Sequence, residues 1–334
     1  MTIKIAINGF GRIGRLAFRR IKELRDSELQ VVAVNDLTNN EDLAYSLKYD
    51  TAYGIFPYDI EVRGDSILVD GKEVKTFEEK DAKKLPWSDL DIDIVLECTG
   101  FYTTNEKAQA HIDAGAKKVI ISAPTKDEET KVVVFGVNQE ILSPSDKIIS
   151  AASCTTNGLA LMTKILVDEF GIQRGLMSGS RAYTATQNMQ DASGGRKSRA
   201  GAQNVIPVTT GAANALGKVV PEVKGIITGT TTRVPVITAG FVELFSVLDR
   251  EVTVDQINEV MKAAANDSYG YTEDEIVSSD VVGVTHGSVF DATLTEVLDA
   301  KGGQLVKTVA WYDNEYGFVS NLVRLTEYVS RLNK

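Results

Sequence analysis

The sequence predicts an α/β protein of two domains: a Rossmann-type parallel sheet, then an α+β catalytic domain built on a mixed or antiparallel sheet. Three observations carry that prediction. A short β-branched run leads directly into Gly9-Phe10-Gly11-Arg12-Ile13-Gly14, a G-x-G-x-x-G that opens a segment of helical spacing. Up to about residue 150, apolar strand runs alternate with helical segments, as parallel βαβ units do. Beyond Cys154 the strand runs lengthen and helices thin out, the pattern of a mixed sheet covered on one face. A chain of 334 residues exceeds one ordinary core. The expected boundaries are 1–151 for the nucleotide half and 152–315 for the catalytic half, with a final helix, 316–334, returning to the first domain.

Taken in order, Ile3 to Ile7 reads as the first strand, and Ile13, Ala17, Ile21 and Leu24 share one face of the helix that follows. The glycines permit a tight turn and let a pyrophosphate approach the helix N-terminus. A second strand, Val31 to Val34, ends at Asn35-Asp36. Asp36 lies about 20 residues past Gly14, where a carboxylate accepts hydrogen bonds from adenosine ribose hydroxyls and repels a 2′-phosphate. That favours NAD over NADP. Asp59 to Val74 alternates around an Asp70-Gly71 hairpin turn. Strands at 92–96 and 119–121, with a helix at 105–114 between them, end in Glu97-Cys98-Thr99-Gly100 and Ser122-Ala123-Pro124. Parallel sheets bind ligands at such C-terminal edges, which selects Thr99, Gly100 and Ser122. Cys98 reads as core.

Ser153-Cys154-Thr155-Thr156-Asn157 follows the apolar pair Ile148 and Ile149 and opens another helix. Unsatisfied N–H groups and the helix dipole there favour a thiolate and an anion held by the hydroxyls of Ser153, Thr155 and Thr156. A buried structural cysteine is the alternative. Strand runs are expected within 226–248, at 281–289 and at 305–311, and helices at 253–265 and from Tyr316 on. Residues 184–204 form a long polar loop.

The composition, 43% hydrophobic and 25% charged, is that of a soluble globular protein. A net charge of −10 and a pI near 4.9 argue against nucleic acid and anionic membranes as main partners. No apolar run approaches the ~20 residues that span a bilayer, and no signal-peptide pattern opens the chain. Two cysteines offer no disulfide framework, so a reducing cytoplasm is expected. No metal site is expected.

Over its whole length the chain resembles the phosphorylating glyceraldehyde-3-phosphate dehydrogenase family. The resemblance rests on residues 8–15, Asn35-Asp36-Leu37-Thr38, Ser153 to Asn157, Thr209 to Ala213, Arg233-Val234-Pro235, Ser278-Ser279-Asp280 and Trp311 to Glu315. It implies Cys154 as the nucleophile that forms a hemithioacetal, hydride transfer to NAD, and release of an acyl phosphate by inorganic phosphate. It further implies Ser153, Thr155, Thr184, Thr210, Gly211 and Arg233 around the two phosphates. Arg12, Ile13, Asp36, Lys80, Ser122 and Asn314 join Gly9, Gly11 and Thr99 at the cofactor. A glycolytic homotetramer is implied, its long loop reaching a neighbour's cofactor.

The chain departs from the family at one decisive place. The family's catalytic histidine is replaced in Ser180-Arg181-Ala182-Tyr183-Thr184 by Arg181. The two histidines present, His111 on a first-domain helix expected to face solvent and His286 in an expected strand, match no catalytic position. The loop after Thr184 is shorter than usual, and Gly158 replaces a second cysteine. Arginine takes up no proton, so it is no general base. Its fixed charge holds a thiolate and stabilises an oxyanion. The competing functions are therefore a slowed dehydrogenase with Cys154 and Arg181 as catalytic residues, an NAD-binding paralogue with an interaction role, and a thiolate redox sensor.

Overall fold

A computed structural model describes residues 2–332. The chain divides into two compact units. One takes in the chain up to Phe135, Gln139–Ala152 and the chain from Leu322 on; the other is Gly136–Asn138 with Ser153–Asn321.

In the first unit, β1 (Ile3–Asn8), α1 (Arg12–Glu23), β2 (Leu29–Asn35) and α2 (Asn40–Lys48) are followed by a small hairpin of β3 (Tyr49–Asp50) and β4 (Gly54–Ile55). Then come β5 (Ile60–Arg63), β6 (Ser66–Val69), β7 (Lys72–Phe77), α3 (Trp87–Leu90), β8 (Ile94–Glu97), α4 (Asn105–Asp113), β9 (Lys118–Ile121), β10 (Lys131–Val132) and β11 (Ile148–Ser150). The sheet order is β10-β11-β9-β8-β1-β2-β7-β6-β5, parallel from β10 to β7 and antiparallel beyond. Its central strands are buried on both faces. Ile5, Ala6 and Ile7, like Val119, Ile120 and Ile121, have no exposed surface, as a parallel sheet covered by helices requires. The strand order reverses beside β1, so the C-terminal ends of β1, β2 and β8 form one rim. The β6–β7 turn uses Asp70 and Gly71, both at positive φ (54° and 71°), the turn expected of Asp-Gly.

The second unit contains α5 (Cys154–Phe170), β12 (Ile172–Ala182), β13 (Ile206–Thr209), α6 (Ala212–Val219), β14 (Ile227–Val234) and β15 (Gly240–Leu248). After these come α7 (Val254–Ala263), β16 (Tyr269–Thr272), β17 (Ser288–Asp291), β18 (Glu296–Ala300) and β19 (Gly303–Tyr312). Its eight-stranded sheet runs β13-β14-β12-β15-β19-β17-β16, with β18 on β19, and mixes parallel with antiparallel pairs. Along β15 buried and half-buried residues alternate strictly, which means one face on the core and one outside. The helix α5, buried from Thr155 through Thr163, packs on that core face. A last helix, α8 (Tyr316–Arg331), begins in this unit and from Leu322 on belongs to the first. The last two residues of the helix expected over 316–334 lie outside the described residues.

The structure corrects three expectations. Residues 281–287 are no strand: a 3-10 turn (Ser278–Val281) gives way to irregular chain, and only Ser288–Asp291 pairs. Gly283 sits at φ +81°, and its N–H goes to the buried Asp313 carboxylate at 2.8 Å instead of a ladder. A tertiary contact thus overrides the β propensity of Val281, Val282 and Val284. His286 accordingly lies on irregular chain, not in a strand. His111 does not face solvent but is wholly buried. Its Nδ1 accepts from the Trp87 indole N–H at 3.1 Å, which places the ring proton on Nε2, 3.0 Å from Glu97 Oε2.

Candidate active site

Cys154 is the first residue of α5. Ser153 caps the helix, its Oγ accepting from the Thr156 N–H at 3.0 Å, so the Ser-x-x-Thr spacing fixes where the helix starts. Ala152, just before the cap, is held at φ +60°, an uncommon conformation for a residue with a Cβ and one that clusters at functional sites. The sulfur is half-buried at the positive end of a 17-residue helix.

Arg181, near the end of β12, points its guanidinium at that helix start. Its Nη1 donates to Thr155 Oγ1 at 2.8 Å and lies 3.9 Å from Cys154 Sγ. Thr155 Oγ1 also bonds the hydroxyl of buried Tyr312 at 3.2 Å. The sheet register supplies the neighbours: Arg181 is paired with Arg233 on β14 and with Gly240 on β15. A Cβ on Gly240 would stand 2.3 Å from the Ser180 carbonyl and 2.9 Å from Arg181 Cβ, so the gap of a glycine admits the arginine. A Cβ on Gly158 would likewise stand 2.8 Å from the Tyr312 ring.

Charge here is one-sided. Arg233 donates from Nη1 to the Ala182 carbonyl at 2.8 Å. Burial first, and then the charge of Arg181, press its acid constant from 12.5 to about 10, which still leaves it charged at neutral pH; Cys154 and Tyr312 oppose the fall. Tyr312 is pushed up to about 12, by burial and then by Cys154, and stays a neutral hydroxyl.

Thr184, Thr210 and Gly211, the other expected phosphate residues, make hydrogen bonds close by in their own stretches of chain. Thr184, just past β12, pairs its Oγ1 with Thr186 and Gln187. Thr210 and Gly211 form the N-terminal entry of α6, where Thr210 Oγ1 accepts from the Ala212 N–H. Asn314 is oriented by its Oδ1, which accepts from Ala239 N–H (2.8 Å) and Thr238 Oγ1 (3.2 Å), so its Nδ2 is the donor end.

On the rim of the first unit, Gly9 is at φ +90° and a Cβ there would meet the Thr99 N at 2.7 Å. A Cβ on Gly14 would meet the Gly9 carbonyl at 2.1 Å, whereas Gly11 faces open space. Gly11 caps α1 with no side chain. The Asp36 carboxylate accepts from the Phe10 N–H at 2.6 Å and the Thr38 N–H at 3.1 Å, which ties the second strand to the glycine turn. Ile13 lies in the first turn of α1, half-buried, and the Arg12 guanidinium is held by Asp50 against the Tyr53 ring. Thr99 is exposed and bonded to the Glu97 carboxylate; Ser122 N donates to the Glu97 carbonyl; Lys80 is exposed, its carbonyl accepting from Tyr102. An open glycine cradle, an uncapped helix start and a fixed acceptor-only carboxylate fit a dinucleotide.

Residues 3–105 match the family described as glyceraldehyde 3-phosphate dehydrogenase, NAD binding domain, and residues 153–314 its C-terminal domain. The chain belongs to the glyceraldehyde-3-phosphate dehydrogenase family. Among its relatives, the glyceraldehyde-3-phosphate dehydrogenases of Clostridium pasteurianum and Clostridium acetobutylicum are 55% and 54% identical over 99% of both chains. That of Streptococcus pyogenes is 50% identical over the full length of both. The protein is an NAD-dependent phosphorylating dehydrogenase of this family, with NAD as its cofactor. Sequence reasoning passed over two members of the site. Tyr312 stood in the Trp311 to Glu315 signature and was legible there; Gly240 carried no signal, because what it faces is decided by the sheet register.

Proposed function

We propose that the protein oxidises glyceraldehyde 3-phosphate to 1,3-bisphosphoglycerate in glycolysis, with Cys154 as nucleophile and Arg181 in place of a general base. The observation that carries this reading is the Arg181 Nη1 to Cys154 Sγ approach of 3.9 Å. The thiolate attacks the aldehyde carbon, the C–S bond forms, and the carbonyl electron pair moves to oxygen as an alkoxide beside the guanidinium. NAD supplies the hydride acceptor. The alkoxide is already deprotonated, so its collapse to a thioester requires no base at that moment. An oxygen of inorganic phosphate then attacks the thioester carbon, the C–S bond breaks, and the acyl phosphate leaves. Ser153, Thr155, Thr184, Thr210, Gly211 and Arg233 hold the two phosphates, as hydroxyls, a backbone amide and a guanidinium suit phosphate oxygens.

In the same reading residues 1–151 serve NAD and residues 152–315 the substrate. Gly9, Gly11, Arg12, Ile13, Asp36, Lys80, Thr99, Ser122 and Asn314 would hold the cofactor, and Asn314 would donate to its carboxamide from Nδ2. The protein works in the cytoplasm as a homotetramer. Exposed Leu298 and Leu305, cross-strand partners on the outer sheet face, and exposed Met189 in the loop supply apolar surface for neighbouring copies. Light scattering at micromolar concentration that gives a stable monomer would contradict the assembly.

A second reading is favoured by the same arginine: an NAD-binding paralogue with little turnover, serving through interactions. Steady-state reduction of NAD with glyceraldehyde 3-phosphate and phosphate decides between them. Phosphate-dependent NADH formation abolished by Cys154→Ser supports the dehydrogenase. NAD binding without any NADH formation sinks it.

A further inference from the structure

We infer that Arg181 and Arg233 form an anion site at the Cys154 sulfur, one that takes small carboxylates whose electrophilic carbon is bonded directly to the carboxylate carbon, the 2-oxo acid class. The inference rests on the reading of Cys154 as nucleophile. Two guanidiniums stand side by side on adjacent strands, at paired ladder positions, next to one sulfur. Among the described residues the Nε atoms of both are buried without a hydrogen-bond partner, and the bonds the two guanidiniums make come from Nη1 alone. Among the described residues no carboxylate forms an ion pair with either; the charged or ionisable neighbours of Arg233 are Arg181, Cys154 and Tyr312. Like charges withdrawn from water need a counter-ion, and a single sulfur, even when ionised, leaves the pair in excess.

The position of the excess charge sets the ligand. Arg181 Nη1 is 3.9 Å from Sγ, the separation at which it meets an oxygen one bond removed from the carbon that sulfur attacks. An alkoxide places an oxygen there; the oxygens of a carboxylate on the neighbouring carbon stand two bonds from the attacked carbon and are left to the second guanidinium, Arg233 on the adjacent strand. With a 2-oxo acid the thiolate adds to the oxo carbon: the C–S bond forms, the carbonyl pair moves to oxygen, and the two arginines face alkoxide and carboxylate together. No oxidant enters that step.

The test compares alkylation of Cys154 by iodoacetate and by iodoacetamide, followed by mass spectrometry. In both, the C–S bond forms and iodide leaves; the reagents share their size and differ in charge. Since both meet the same thiolate, the ratio of their rates cancels its ionisation. The native ratio should exceed that of a free small thiol in the same buffer by about 10-fold or more and fall as salt is raised. Arg181→Gln should bring it near the free-thiol value, and Arg181→Lys should keep most of it. Inorganic phosphate should protect more strongly against iodoacetate than against iodoacetamide. A native ratio within about twofold of the free thiol's overturns the inference whatever the variants do, and so does a native preference that Arg181→Gln leaves intact. If iodoacetamide fails to mark Cys154 ahead of Cys98, the nucleophile reading itself falls, and the two failures are thereby told apart.

Discussion

Replacing Arg181 with histidine tests the chemistry most directly. The substitution removes a permanent charge and installs a group that accepts a proton near pH 6.5. A positioned general base contributes about 10²–10⁴ in rate, and the structure argues for the lower end of that range. A base must come within about 2.6–3.2 Å of the substrate oxygen, whereas the arginine stands 3.9 Å from Sγ. An imidazole on the same Cα is shorter than the arginine side chain and reaches less far towards that oxygen. Thr155, anchored from the far side by Tyr312 at 3.2 Å, keeps its place and offers the ring a partner. The expected gain is therefore on the order of 10²-fold in single-turnover NADH formation. The pH profile of the variant should show a new ionisation near 6.5 that the native enzyme lacks. Loss of the neighbouring charge should also let the Arg233 acid constant rise from about 10. If native protein turns over at an ordinary rate and Arg181→His gains nothing, another group supplies the base and this account of the site is wrong. A native profile that already shows an ionisation near 6.5 refutes it as well.

Asp36→Ala should narrow the preference for NAD over NADP, measured by calorimetric titration; equal affinities in the native protein would remove the role given to this carboxylate. Gly158→Ala places a Cβ 2.8 Å from the Tyr312 ring, so overpacking should cost about 1–3 kcal/mol in urea unfolding, and a neutral result would mean the ring moves freely. Cys98, pushed up to about 12 by burial and by Glu97 against a hydrogen bond from Ser122, should remain unalkylated at pH 8 while Cys154 reacts. Tyr312 links the site to alkaline stability. Its folded acid constant is raised from 10.0 to about 12, so its contribution is complete below pH 10 and is lost as pH climbs towards 12. Tyr312→Phe should flatten the fall of the melting temperature across that window, and an unchanged slope would assign the loss elsewhere.

What the sequence by itself determined is what lies within a few residues along the chain. The glycine turn, the strand that feeds it and the helix that leaves it are set by sterics at Gly9 and Gly14 and by apolar spacing in α1. The Ser153 cap places Cys154 at the first turn of α5 for an equally local reason, a hydroxyl three residues ahead of an orphan N–H. Asp70-Gly71 turned the chain where expected because two positive φ angles suit few other pairs. The strand that carries Arg181 was harder to see: Ile172–Ala182 holds two glycines and no strict alternation, and its pairing on both sides supplies the order its own residues lack. The tertiary structure alone decided whom the functional side chains meet. Arg181 stands beside Arg233 and opposite Gly240, with Tyr312 bonded to Thr155, because sheet register and helix packing join residues 50 to 160 positions apart. His111 shows the same limit from the other side. Its place on a first-domain helix reads as facing solvent, and Trp87 and Glu97, arriving from α3 and β8, decide that it is buried. A pattern read along the chain reports which faces are apolar, whereas a hydrogen bond or a charge pair depends on distances of a few ångströms that only the assembled sheets define.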